Sequence, residues 1–299
     1  MKYSIGVDLG ATKINFILVK NKKVVRQEKV FTPKNRKGVI RALENNIKKI
    51  IGNISKSEIL GIGIGVAGPL NRRGDLILNP PNLRVLRNCP LAKIIEKDLG
   101  IKTVMENDVH CFALAEALLG AGKNAGSVLG ITLGSGIGGG LVFKIANGRL
   151  KIYKGAFGTA GEVGHMVIKF DGFSCSCGSR GCFEEYASEK FLKRKSKLSP
   201  LELEKRAQKG DKKSKMIYQE FGRNLGIGLA NLINVFDPEI VVVGGSISKA
   251  GSLILEPAEK EIQKRVLSPH SKKFVKIRLS KLGSSAGAVG AALLLENYD

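Results

Sequence analysis

Three thiols and an imidazole lie close together along this chain: His165, then the loop Cys175-Ser176-Cys177-Gly178-Ser179-Arg180-Gly181-Cys182. Thiolate sulfur and imidazole nitrogen are donors that tetrahedral Zn2+ prefers, and four protein ligands leave no open coordination position. The pattern points to a structural zinc site on His165, Cys175, Cys177 and Cys182 rather than to metal-assisted hydrolysis. Free cysteines in a glycine-rich loop are the plain alternative, which this spacing disfavours. Cys89 and Cys111 have no partner at such spacing and read as small buried apolar side chains. His110 and His270 carry no signal.

Two glycine turns suit a different chemistry. Asp8-Leu9-Gly10-Ala11-Thr12-Lys13 joins two strands and lacks the Gly-Lys-Ser/Thr order that opens a helix in a Walker loop. Gly10 lets backbone N–H groups approach an oxyanion, Thr12 adds a hydroxyl, and Asp8 at a strand end can hold a Mg2+ hydration shell. An ordinary hairpin with an Asp cap fits the same residues. The second turn, from Gly134 through Ser135, Gly136 and Gly138 to Gly140, holds five glycines in seven residues. Such a run loses much backbone entropy on folding without a structural return, so the matched pair reads best as a two-sided phosphate clamp.

Glu106-Asn107-Asp108 falls where a strand, 101–105, meets a helix, 109–119. Asp108 suits an N-cap. It suits a general base equally, because strand ends in open α/β sheets border the ligand crevice.

Segments 3–8, 14–19 and 24–31 read as a meander of strands. Val39, Ile40, Leu43, Ile47, Ile50 and Ile51 then recur at helical spacing, and 59–66 returns as a buried strand. The same order recurs: strand 127–133, the glycine turn, strands 141–145 and 150–153, then, after a long insertion, helix 215–235, strand 239–243, helix 253–266, strand 275–279 and helix 284–296. Such a repeat of element order predicts two related α/β lobes facing each other across a cleft. The smaller lobe is expected at 1–110, with a C-terminal helix of about 284–299 packing back on it, and the larger, with the zinc loop, at 111–283.

At 299 residues the chain suits two domains of roughly 150 each. Its 43% hydrophobic and 25% charged residues exclude collagen, coiled coil and wholesale disorder. A formal charge of +23 favours anionic partners. Part of it is local: 190–215 sets eleven Lys/Arg against Glu202, Glu204 and Asp211, and reads as a solvated surface segment. No helix-turn-helix, zinc-finger or aromatic-interleaved pattern accompanies it, which disfavours a nucleic-acid partner. Asp8 and Lys13 interrupt any secretory signal, and no apolar window approaches the ~18 residues of a membrane span. A cytoplasmic protein with no membrane partner is expected, where crowded cysteines mean metal rather than disulfides.

Taken in order, Asp8-Leu9-Gly10-Ala11-Thr12-Lys13, Glu106-Asn107-Asp108, Leu133 to Gly140, Gly161-Glu162-Val163-Gly164-His165, the Cys175 to Cys182 loop with Glu184, and Val243-Gly244-Gly245-Ser246 resemble one family over nearly the whole chain. It is the ROK family of sugar kinases and repressors, of the actin-like, hexokinase-type (ribonuclease H-like) fold. The resemblance implies an α/β enzyme of duplicated lobes that moves the γ-phosphoryl group of ATP to a hexose, normally at the 6-hydroxyl, with Asp108 as catalytic base. It implies Mg2+ organised by Asp8, phosphates on Gly10, Thr12, Gly134, Ser135, Gly136 and Gly138, and adenosine against Gly244 and Gly245. Asn107, Asp108, Glu162, His165 and Glu184 fall on the sugar-hydroxyl ligands, with Gly68 and Asn82 beside them. His165 would then serve zinc and sugar together, so that the zinc loop sets the sugar pocket's geometry. A homodimer is the family expectation.

The stretch Gly155 to Glu162 resembles the ATP-dependent glucokinases of the family. Glucose is therefore the expected hexose, and fructose, mannose, N-acetylglucosamine and N-acetylmannosamine remain open. The chain departs from the pattern at Asn79-Pro80-Pro81-Asn82-Leu83, where relatives often carry an aromatic residue, and it has no tryptophan. Repressors of the family carry a DNA-binding extension before the first phosphate motif. Here that motif begins at Asp8, which makes a sugar-responsive regulator the lesser expectation.

Overall fold

A computed structural model describes residues 2–297. Alternating and continuous runs of branched apolar residues build its two sheets. β1 (Tyr3–Leu9), β2 (Lys13–Lys20) and β3 (Lys23–Phe31) form an antiparallel meander, to which β4 (Ile59–Val66) and β5 (Thr103–Asn107) add in parallel, in the order β3-β2-β1-β4-β5. α1 (Arg36–Ile51) starts where Asn35 accepts the Gly38 N–H, and its periodic Val39, Leu43, Ile47 and Ile50 face the core. α2 (Leu91–Leu99) and α3 (Asp108–Leu119) flank β5 in sequence.

The second sheet contains β6 (Ser127–Leu133), β7 (Ile137–Lys144) and β8 (Leu150–Ile152). After α4 (Glu189–Lys195), α5 (Pro200–Gln208) and α6 (Lys212–Phe236), it gains β9 (Ile240–Gly244), then, past α7 (Ser252–Arg265) and α8 (Pro269–Phe274), β10 (Lys276–Leu279). Its order, β8-β7-β6-β9-β10, repeats that of the first sheet strand for strand. The internal repeat is thus one of topology, in an α/β chain whose last helix is α9 (Ala286–Asn297). The expected helix 284–299 opens instead with a short 3-10 turn, Gly283–Ser285, and its residues 298 and 299 lie outside the described residues.

The chain divides into two compact units, Met1–Asn124 with Gly140–Gly161 and Leu282–Asp299, and Ala125–Gly139 with Glu162–Lys281. The first crossing falls after α3 rather than near 110, because α3 packs along α9 and stays in the first unit. Among the described residues no helix is long and apolar enough to cross a membrane.

α9 is seated by glycines. Gly61, Gly63 and Gly65 alternate along β4 and so share one face. A Cβ at Gly63 would come within 1.8 Å of the Ala291 carbonyl oxygen, and one at Gly6 of β1 within 2.0 Å of that of Ala288. Glycine on the strands lets the helix backbone lie directly on the sheet. The first turn of α9 thereby reaches β1, where a Cβ at Gly287 would stand 3.0 Å from the Asp8 carboxylate. Gly63→Ala forces α9 off the sheet and should cost about 1–3 kcal/mol or more. Urea unfolding measures it, and an unchanged midpoint would contradict this packing.

Candidate functional site

In the first unit the site begins where β5 runs without a loop into α3. Asn107 is the N-cap: its Oδ1 accepts the N–H groups of Val109 and His110 at 2.9 and 3.2 Å. Asp108, for which the sequence left the cap open, is instead the first helical residue, with Oδ1 3.0 Å from the Val109 N–H. The amide of Asn107 donates to the Gly68 carbonyl at 3.3 Å, so the structure brings these two candidates together. Gly68 packs so closely on Pro80 that a Cβ would lie 2.5 Å from it. Asn82 stands exposed two residues further on.

Asp8 lies in β1 between Asn15 of β2 and Gly65 of β4. With no side chain at Gly65, a Cβ there would find the Asp108 Cα at 3.5 Å. Burial raises the Asp108 carboxyl to about 7, and the charge of Asp8 pushes the same way. Burial raises Asp8 to about 6 against the pull of Lys29. A carboxyl raised to about 7 can take up a proton near neutrality, and a carboxylate near the end of a strand can hold a cation. The turn that follows is clasped by Thr32, whose hydroxyl donates to the Gly10 carbonyl at 2.7 Å and whose N–H donates to the Thr12 carbonyl at 2.9 Å.

One cluster here gave no signal in the sequence. Glu106 is buried; its Oε1 accepts the Asn107 N–H at 2.9 Å and meets His110 Nδ1 at 3.0 Å, while Oε2 pairs with Lys154 Nζ at 2.5 Å. His110 Nε2 lies 3.0 Å from the Ala160 carbonyl oxygen. Both partners of the ring carry acceptor oxygens, the Glu106 carboxylate and the Ala160 carbonyl. Burial pushes the Glu106 carboxyl up, but His110 and Lys154 outweigh it and hold it below its ordinary value. The cluster ties the β5–α3 turn to residues 154–160. Glu106→Ala leaves three donors, the Asn107 N–H, His110 and Lys154, without their carboxylate and should cost about 3–5 kcal/mol. Thermal unfolding reads this, and a change under 1 kcal/mol would count against it.

In the second unit the β6–β7 turn is closed by the Gly134 N–H donating to the Gly136 carbonyl at 3.0 Å. A Cβ at Gly134 would meet nothing within 4 Å, whereas one at Gly136 would lie 2.6 Å from Glu184 Oε2. Glycine therefore leaves open space at one corner and admits a carboxylate at the other. Gly245, at φ +89°, sits where a Cβ would strike the Leu133 carbonyl at 2.2 Å, which locks the end of β9 to the end of β6. Ser135 is exposed and Gly138 half-buried.

Glu184 and Glu185 are buried and held by cations from α4. Lys190 Nζ reaches Glu184 Oε1 at 2.5 Å and Glu185 Oε1 at 3.0 Å, and Arg194 pairs with Glu185 Oε2 at 2.7 Å. The basic segment 190–215 is accordingly not all solvated surface. Two of its cations neutralise buried carboxylates, and Phe191, Leu192, Leu203 and Ala207 are core residues.

The donor atoms of His165, Cys175, Cys177 and Cys182 all lie within 4.8 Å of one another. His165 Nδ1 is 3.6 Å from Cys175 Sγ, and Cys177 Sγ is 3.6 Å from Cys182 Sγ. A zinc tetrahedron with bonds of about 2.0–2.3 Å has edges of roughly 3.5–3.8 Å, so this donor set fits one. The loop is folded as a knuckle, with the Cys175 N–H donating to the Ser179 carbonyl and the Gly178 N–H to the Cys175 carbonyl. Gly178 at φ +94° and Gly181 at φ +74° permit the turns. A hydrogen bond from the Ser179 backbone lowers the Cys177 thiol to about 7, while burial raises Cys182 to about 12. The cluster touches the carboxylate beside it, for Cys175 Sγ stands 3.5 Å from Glu184 Oε1. Glu162 immediately precedes the 3-10 turn Val163–His165 and is exposed.

The paired sheets of repeated order, each with a glycine turn after its first strand, define the actin-like, hexokinase-type α/β fold. A model of the ROK family matches residues 4–298, and the chain belongs to that family. It is 34% identical to a glucokinase of Streptomyces coelicolor, over 100% of this chain and 99% of that protein. It is 31% identical to a xylose repressor of Caldicellulosiruptor bescii, over 97% of this chain and 77% of the repressor. Among solved structures, a ROK family glucokinase from Streptomyces griseus in complex with glucose and AMPPNP superposes with a TM-score of 0.84 at 32% identity, covering 98% of both chains.

Proposed function

We propose that the protein is an ATP-dependent hexose kinase acting at the 6-hydroxyl, with glucose as its substrate. The observation that carries the reading is Asp108: a carboxyl raised to about 7, fixed on the first turn of a helix, next to a second carboxyl that ends a strand at a glycine turn. Similarity to glucokinases over the full length supports it.

In phosphoryl transfer the transition state is loose, so the protein mainly positions groups and balances charge. Asp108, ionised above about 7, takes the proton from the attacking hydroxyl at a carboxylate oxygen, while the Val109 N–H holds its Oδ1 in place. Asp8 would hold Mg2+, which supplies charge neutralisation on the phosphates. Gly10 and Thr12 in the first unit, and Gly134, Ser135, Gly136 and Gly138 in the second, offer small, backbone-rich turns for phosphate oxygens. Gly244 and Gly245 are assigned to adenosine. Glu162 and Glu184 supply acceptors for sugar hydroxyls, His165 with its Nδ1 on the metal would present Nε2–H as a donor, and Asn107 contributes what its cap leaves free. A site built on such acceptors rejects analogues that lack the hydroxyl. His165, Cys175, Cys177 and Cys182 would hold a structural Zn2+, which would keep His165 and Glu184 in register.

A repressor-like role is the second reading, favoured by the likeness to a xylose repressor. The two are separated by incubating the protein with Mg·ATP and either glucose or 6-deoxyglucose and following phosphorus resonances. The kinase reading expects glucose 6-phosphate from the first and no sugar phosphate from the second. Product from 6-deoxyglucose would overturn the assignment of the hydroxyl.

A further inference from the structure

Within the first unit, the β7–β8 hairpin encloses a cavity of about 550 Å³ that no step above uses. Its apolar lining joins three elements: Leu114 of α3, Leu294 of α9, and Phe143 and Ile152 of the hairpin. Its charged lining has one sign. Arg72, Arg149, Lys151 and Lys154 contribute cations, and no Asp or Glu lines the cavity among the described residues. Neither Asp8 nor Asp108 borders it, nor does either glycine turn.

A volume of this size takes a small molecule. Apolar side chains lining one cavity with guanidinium and ammonium groups suit an apolar body bearing a phosphate, which Arg binds as a fork and Lys as a point charge. We propose that this cavity binds a small phosphomonoester with an apolar body, and that its occupancy reaches the β5–α3 turn through Lys154. Lys154 belongs both to the cavity wall and to the Glu106 ion pair. Glu106, in turn, holds the Asn107 N–H and His110. A phosphate beside Lys154 competes with Glu106 for the ammonium, and the turn that begins α3 at Asp108 loosens. No bond is made or broken, so the ligand regulates rather than reacts, and neither half of the proposal requires the kinase reading.

The test titrates 1-naphthyl phosphate, 1-naphthol and inorganic phosphate separately into the whole protein by calorimetry, with a non-hydrolysable ATP analogue present to fill any nucleotide site. The naphthyl ester is expected to bind at least about 10-fold more tightly than either part, because apolar burial and charge pairing act together. Lys151→Glu and Arg72→Glu, both at exposed positions, should each weaken it about 10-fold while unfolding temperatures stay within about 2 °C. Amide hydrogen exchange in 106–110 should quicken in the bound protein. Equal affinity for the ester and for inorganic phosphate would overturn the cavity assignment, as would binding that survives both charge reversals. Binding that vanishes as protein concentration rises would assign the cavity to a second copy of the chain instead. Tight binding with unchanged exchange in 106–110 would overturn the link through Lys154.

Discussion

Asp108→Asn should lower phosphate transfer to sugar by about 10²–10⁴-fold, the range expected for loss of a general base, while the protein stays folded. Asparagine has the same shape and its carbonyl oxygen can still accept the Val109 N–H that now binds Oδ1. What it cannot do is take the proton. Because burial and then Asp8 raise this carboxyl to about 7, the wild-type rate should climb with pH through about 7 and level off above it. Asp8 titrates close by, so the rise belongs to the pair rather than to one group.

Stability should move the other way. The carboxyl goes from 3.8 to about 7 on folding, so between those values the folded state binds more protons than the unfolded one. Its stabilising contribution is full below about 4 and is lost as pH rises through 7. Asp108→Asn removes that loss, and its Tm at pH 8 should equal or exceed the wild-type value, by about 2–4 °C for each kcal/mol. A variant with more than a tenth of wild-type activity would remove Asp108 from the chemistry.

The second large effect is on sugar affinity. Cys177→Ser takes one donor from the proposed zinc site at an exposed position, so it opens no hole in the core. Without the metal, Cys175 is no longer fixed beside Glu184, and His165 no longer anchors the turn that follows Glu162. Loss of positioning of this kind typically costs 10–100-fold. The sugar KM should rise by about that factor, with the KM for ATP changed little. Metal analysis confirms the loss of zinc, and a metal-free Cys177→Ser protein with the wild-type sugar KM would sink the idea that zinc shapes the sugar pocket.

What could be read from the sequence was local. The glycine turns, the strand-to-helix junction at Asp108 and the cysteine knuckle each lie within a few residues, and repeated element order carried the fold class. Long-range partners were hidden. Lys154 pairs with Glu106 across many intervening residues, and nothing about His110 alone marks it as half of an i, i+4 pair with that carboxylate; the spacing was the one available clue. Lys190 and Arg194 sat in a run whose composition resembles solvated surface, yet they neutralise Glu184 and Glu185. The cap at Asn107 rather than Asp108 was a one-residue ambiguity between two good capping residues. The seating of α9 needed residues as distant as Gly63 and Ala291 to meet, and alternating glycine in β4 has that meaning only once the helix is placed.

The most direct test of the central claim is the Mg·ATP-dependent rate measured in parallel on glucose, mannose, fructose, N-acetylglucosamine and N-acetylmannosamine, using zinc-replete protein. One ADP is expected per sugar phosphorylated, with glucose highest in kcat/KM. Another hexose in first place would keep the kinase and replace its substrate. Folded, zinc-replete protein that transfers no phosphate to any of the five would contradict the account.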